Sequence, residues 1–219
     1  MIKMNTIVVN NEKIYLLYQK NFLDKNDLNN LKKWLDSKSF RSGTLLNGKE
    51  IGRRQLWYQK DNKYFCNKWK HKYDRWESET YDTYLSELEY KINEYVDNIC
   101  KKNNLKKLNI NSCLINKYRD GNDSIKPHID NKDSFGNYPI IVGLSIGETR
   151  DLIFKKILNN ESKSLKIDDS YDPIKYSLED NSLFIMAGAS QKYFTHEVPK
   201  DNSVNTRYSL TFREYLDHE

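Results

Sequence analysis

The chain has 219 residues, 37% hydrophobic and 31% charged, enough for one sizeable domain with its own core. A formal charge of +5 tolerates a polyanionic partner without demanding one, and no apolar run approaches the length of a membrane span. Three cysteines, Cys66, Cys100 and Cys113, form no spaced framework and suit a reducing compartment, so the expectation is an intracellular monomer, cytoplasmic or nuclear, without membrane contact.

In chain order, the opening MIKMNTIVVNNEKIYLLY holds no apolar run of signal-peptide type, because Asn, Lys and Glu interrupt it. Residues 24–38 carry Leu28, Leu31, Trp34 and Leu35 at helical spacing behind Asp24 or Asn26 as a cap. A second helix over roughly 80–102 is clearer, with Leu85, Leu88, Ile92, Val96 and Ile99 every three or four residues. Between them, residues 53–76 hold eight Lys or Arg and seven aromatics, three of them tryptophans. After residue 105 the period falls to two: Leu108, Ile110, Ser112, Leu114, Asn116 and Tyr118 share one face of a strand. Further strands are expected at 139–146, 151–157, 182–188, 192–198 and 206–215. Short strands at close spacing without helices between them read as a sandwich or jelly roll. The expected architecture is a helical, basic N-terminal half on an all-β C-terminal half, within one folded unit.

The chemistry concentrates in N-K-Y-R-D-G-N-D-S-I-K-P-H-I-D, residues 116–130. His128 and Asp130 stand two apart at a strand end, so both side chains point the same way. Such a pair chelates one metal ion or is simply two polar residues of a loop. Non-haem iron sites use two imidazoles and one carboxylate on one face of the ion. His196, inside the strand YFTHEV, is the candidate for the third ligand; His71 lies in the lysine-rich segment and His218 at the C-terminus. In the last strand, T-R-Y-S-L-T-F-R, Arg207, Ser209, Thr211 and Arg213 share one face and Tyr208, Leu210 and Phe212 the other. Exposed arginines in surface ion pairs are the ordinary reading of that pattern. Two guanidiniums opposite an apolar stripe also suit a dicarboxylate, held by planar two-point contacts, although six residues separate them by ~20 Å of strand.

Four segments together, residues 116–130, P-I-I-V-G-L-S-I-G-E-T-R-D, Q-K-Y-F-T-H and R-Y-S-L-T-F-R, resemble the AlkB family of Fe(II)/2-oxoglutarate dioxygenases over roughly 108–215. GRRQLWYQ, residues 52–59, resembles the nucleotide-recognition region that precedes that family's catalytic core. The resemblance implies an α+β fold with a double-stranded β-helix core over 106–219 and an N-terminal extension and recognition lid over 1–105. It implies iron on His128, Asp130 and His196, and 2-oxoglutarate held at its distal carboxylate by Arg207, with Asn116, Tyr118 and Arg213 as further co-substrate contacts. The implied reaction consumes O2 and 2-oxoglutarate, demethylates an N-alkylated base in DNA or RNA, and releases formaldehyde, succinate and CO2. Trp57, Tyr58 or Tyr64 would stack on the base while Lys and Arg of 53–76 hold phosphates; the alternative is that these aromatics pack the core.

Two positions depart from the family pattern. Lys132 stands where an acidic residue often helps read the base, with Asp133 next to it, and Ser209 stands where Asn is common. A dioxygenase of the same fold acting on protein, or a binding module without turnover, are the competing readings. The paired arginines and the basic aromatic segment argue against the first, and retention of all three ligand types against the second.

Overall fold

The computed structural model describes residues 2–44, 50–60, 64–66, 76–159 and 165–216. Along the chain they form β1 (Ile2–Val9), β2 (Glu12–Gln19), α1 (Lys25–Asp36), β3 (Arg54–Gln59), α2 (Thr83–Lys102), β4 (Ser112–Tyr118), β5 (Ile125–His128) and α3 (Lys132–Phe135). There follow β6 (Ile141–Gly147), β7 (Arg150–Asn159), β8 (Lys166–Ile167), β9 (Ile174–Leu178), β10 (Ser182–Gly188), α4 (Ser190–Tyr193), β11 (Phe194–Val198) and β12 (Arg207–Arg213). None of the described helices is long and apolar enough to cross a membrane.

Both long helices start where a side chain can satisfy a free backbone N–H. Asp24 accepts from the Asp27 amide at 2.8 Å, and Asp82 from the Leu85 amide at 2.9 Å. The other oxygen of Asp82 takes Trp34 Nε1 and Lys38 Nζ, each at 2.8 Å, so one carboxylate starts α2 and ties it to the end of α1. The apolar stripes then pack inward: Leu31 and Leu35 of α1, and Leu85, Leu88, Ile92 and Val96 of α2, are buried in one cluster with Leu17, Ile115, Leu144, Ile185 and Leu210.

Those partners come from one face of a seven-stranded sheet ordered β1-β2-β10-β6-β12-β4-β3. A smaller sheet runs β5-β11-β7-β8, with β9 also paired to β7. A second cluster joins Ile14, Tyr118, Ile141, Phe184 and Met186 of the large sheet to Leu152, Phe154, Tyr176 and Phe194 of the small one. The order of layers is therefore helices, large sheet, small sheet, with the jelly-roll space between the two sheets, as expected for a double-stranded β-helix.

The helical N-terminal half is corrected. Residues before 105 supply three strands of the large sheet, and β2 pairs directly with β10 across that boundary. The hairpin β1–β2 turns on Asn10 and Asn11, whose φ values of 49° and 65° are left-handed. Val9 pairs with Glu12, so this is a two-residue turn of the kind whose twist matches the strands and which Asn tolerates. At the other end, β4 begins at Ser112 rather than near 108, and 190–193 is a helical turn ahead of β11.

Candidate metal centre and its cavity

His128 ends β5, the edge strand of the small sheet, and edge position is what lets Pro127 sit in a strand without a lost ladder bond. His196 occupies the middle of β11, directly opposite His128 in the ladder. The two rings lie 4.2 Å apart between centroids. Asp130 follows two residues after His128, its backbone N–H fixed by Gln191 Oε1 at 2.8 Å. Its Oδ1 is 3.9 Å from Nε2 of each imidazole, and the three donor atoms lie within 4.8 Å of one another. His128 Nδ1 is 2.8 Å from the Lys126 carbonyl; that oxygen only accepts, so the proton sits on Nδ1 and the Nε2 lone pair faces the cluster.

Electrostatics suit the same role. Burial, then the neighbouring His128, pushes the His196 imidazole down to about 3. Burial likewise lowers His128. Both rings are neutral near pH 7, the form that binds a cation. For Asp130 burial works upward, but the Arg213 guanidinium leads the opposing pull and the carboxyl is held below its usual range. Arg213 Nε donates to Asp130 Oδ2 at 2.7 Å. Two neutral imidazoles and one ionised carboxylate fit a divalent transition metal such as iron.

The cluster opens into a cavity of about 620 Å³ between the two sheets. On the opposite wall Arg207 starts β12 at 1% exposure. Its Nη2 donates to Ser145 Oγ at 2.8 Å, and its guanidinium lies 5.2 Å from the Tyr118 ring. Nε and Nη1 are buried without an acceptor among the described residues. Buried guanidinium donors lacking partners are costly, so this arginine fits an anionic ligand carboxylate. Its ladder partner on β6 is Gly147, with φ +93°, where a Cβ would come 2.4 Å from the Thr206 carbonyl oxygen. Asn116 and Tyr118 line the same wall, paired in register with Ser209 and Arg207. The two arginines of β12 differ in partner: Arg213 holds a protein carboxylate, and Arg207 has none among the described residues.

The aromatic residues singled out in the sequence fall differently. Trp57, at 1% exposure, packs against Phe65, Phe135 and Tyr215 as part of the core. Tyr58, at 4%, points to the opposite face of β3, against Trp34 and Tyr81. Neither lines the cavity, nor does half-buried Tyr64; Lys132 and Asp133 do. The cavity's aromatic wall is instead Phe65 and Trp76, stacked at 4.4 Å with a 30° interplanar angle. Tyr58 belongs to the helix-side core, since consecutive β3 side chains face opposite ways, while Trp57 on the other face is covered by Phe65 and Phe135; composition alone shows neither. Residues 61–63 and 67–75, including His71, and His218 lie outside the described residues.

Arg150 was missed as well. Buried at the start of β7, it donates to the Asp120, Asp123 and Pro199 carbonyls and pairs with Asp201 at 2.7 Å. It thereby holds together two loops, after β4 and after β11. The signal was an arginine at a strand start within T-R-D, but its acceptors are three backbone carbonyls and a carboxylate 51 residues away, which no sequence pattern marks.

Comparison with known proteins agrees with this geometry. The model of the 2OG-Fe(II) oxygenase superfamily matches residues 15–213. The chain is 40% identical over 105 residues to "Alpha-ketoglutarate-dependent dioxygenase alkB homolog 3" of Mus musculus, covering 47% of this chain and 36% of that protein. It is 34% identical over 119 residues to "DNA oxidative demethylase ALKBH2" of Arabidopsis thaliana, covering 48% and 38%. The matched stretch thus spans little more than a third of either relative. The solved structure of OsALKBH1 superposes with a TM-score of 0.59 at 15% identity, over 97% of this chain and 100% of that one, which shows a shared fold.

Proposed function

The chain belongs to the 2OG-Fe(II) oxygenase superfamily, with an AlkB-like sequence, and from that premise we propose that it oxidatively removes alkyl groups from base nitrogens in nucleic acid. The observation that carries the reading is one cavity with two walls. One wall presents two imidazoles and a carboxylate, and the other a buried guanidinium with donors lacking partners. His128 and His196 through Nε2, with the Asp130 carboxylate, would hold Fe(II). Arg207, with Ser145 beside it, would take the distal carboxylate of 2-oxoglutarate, and Asn116 and Tyr118 line the path between. Bound there, iron and 2-oxoglutarate supply, with O2, the oxidation of an N-alkyl carbon that lets the alkyl group leave as an aldehyde.

The chain's own residues do the positioning. Arg213 keeps Asp130 ionised and fixes its rotation through Nε. Gln191 holds the Asp130 backbone, and the Lys126 carbonyl holds the His128 tautomer. Phe65 and Trp76 offer apolar π surface beside the cavity, where an extruded base can stack and displace water. The nucleic-acid substrate is supported by likeness to a DNA oxidative demethylase and by that aromatic wall. A panel of methylated DNA and RNA oligonucleotides, scored for formaldehyde and product mass, tests it. Loss of methyl groups from at least one N-methylated base is expected. An enzyme that binds Fe(II) and 2-oxoglutarate yet demethylates none of the panel would overturn the substrate.

A further inference from the structure

Asn116 sits in β4 with its side chain on the cavity wall. Its Oδ1 accepts two hydrogen bonds, from Arg53 Nε at 2.9 Å and from Gln55 Nε2 at 2.9 Å. An arginine nitrogen only donates, so Oδ1 must face Arg53 and the amide cannot be flipped. Its Nδ2 meets no acceptor among the described residues. Both donors come from one short stretch: Gln55 is the ladder partner of Asn116, and Arg53 lies two residues earlier, on the same face of the chain. Arg53 also donates through Nη1 to the Ser124 carbonyl at 3.3 Å, just ahead of β5 and His128. On the other flank of Asn116, Ser209 makes no hydrogen bond to it among the described residues.

We infer that Arg53 and Gln55 are positioning residues for the co-substrate: by occupying Oδ1 they orient the Asn116 amide so that its N–H groups donate to 2-oxoglutarate. This rests on the co-substrate reading above. The edge strand β3 and the arginine just before it, which carry no metal ligand, thereby set the donor direction of a cavity residue. A freely rotating amide would spend part of its time presenting oxygen to a carboxylate, a repulsive arrangement.

A double-mutant cycle in the Mn(II)-loaded full chain tests this, with 2-oxoglutarate binding read by calorimetry. Arg53→Lys keeps the charge and removes the Nε donor; Gln55→Leu is neutral and keeps most of the volume. Each is expected to weaken 2-oxoglutarate binding about three- to tenfold, the worth of one directed hydrogen bond. In the Asn116→Ala background the same changes are expected to alter binding by less than about twofold, because residues that act through Asn116 lose their effect with it. Equal losses in both backgrounds, or wild-type binding in either single variant or in Asn116→Ala, would overturn the inference. Failure of the wild-type protein to bind 2-oxoglutarate would overturn the co-substrate reading instead. If Gln55→Leu does not fold, the Arg53→Lys arm decides alone.

Discussion

Asp130, in the cavity, and Glu89, under α2 on the far side of the large sheet, are both buried carboxylates with a cation at 2.7 Å, yet their acidities move in opposite directions. Asp130 lies below the usual range, the Arg213 guanidinium leading the pull against its burial. Glu89 lies above it, because burial outweighs Lys60. The partners explain the difference. Arg213 is itself buried and donates from a planar group held in place, whereas Lys60 is 46% exposed and shares its charge with water. Coulomb attraction weakens as the local dielectric rises, so one exposed ammonium cannot replace a buried guanidinium. The cavity keeps a carboxylate ionised; the helix underside merely tolerates one.

The strongest way to break this contrast is Asp130→Ala. It removes a metal donor and leaves Arg213 buried without its partner, so we expect turnover to fall to background. Stability of the metal-free protein is expected to drop by about 3–5 kcal/mol, typical of a buried pair that loses one member. Iron content and urea unfolding check the two effects separately; a variant with wild-type iron content removes Asp130 from the ligand set. Arg213→Lys is milder. The charge stays but the fixed Nε–H is lost, so a loss of about 2 kcal/mol in urea unfolding is expected, with weaker iron retention. No change would show that the geometry of the bond is irrelevant.

Arg207→Lys sharpens the other half of the comparison, a buried cation with no protein carboxylate among the described residues. An ammonium lacks the planar donors of a guanidinium, so 2-oxoglutarate binding to the Mn(II) form is expected to weaken by about tenfold or more. Urea stability without ligand should barely move, since no internal ion pair is broken. A large loss of stability with unchanged binding would make Arg207 a structural residue.

Legibility in the sequence followed the range of the signal. α1 and α2 were readable because their apolar stripes are local, and β10 was placed at its observed ends. His128 and Asp130 are two residues apart, and His196 needed only the recognition that a strand-borne histidine can return to them. The β1–β2 hairpin was readable in principle from V-V-N-N-E, two asparagines between alternating apolar residues, but the Lys and Asn around it masked the alternation. Trp57 and Tyr58 fall outside the cavity because tertiary packing lays Phe65 and Phe135 against the first and turns the second toward the helices, which an aromatic run does not reveal. The bonds from Arg53 and Gln55 to Asn116 were not readable at all. They depend on the register of β3 against β4, set by tertiary packing about 60 residues away along the chain.

The smallest effect, and the most direct comparison, is Glu89→Gln. Glu89 is 3% exposed, and its acidity is lowered in strength by burial, so the folded chain holds a proton there more tightly than the unfolded chain. The sign follows from linkage: as pH rises from below the ordinary glutamate value through the raised one, the folded state binds more protons than the unfolded state, and stability falls. At neutral pH the carboxylate therefore costs the fold something that a neutral amide does not. The amide would also bring donors to a place where, among the described residues, Asn93 Oδ1 is buried without one, and Lys60, half in water, loses little. We expect Glu89→Gln to be more stable than wild type by about 1 kcal/mol at pH 7, the net worth of one hydrogen bond, and the gap to close below pH 4. Urea midpoints of both proteins across that range measure it. A variant less stable than wild type at pH 7 would mean that the Lys60 pair outweighs burial, and that the two carboxylates differ less than their surroundings imply.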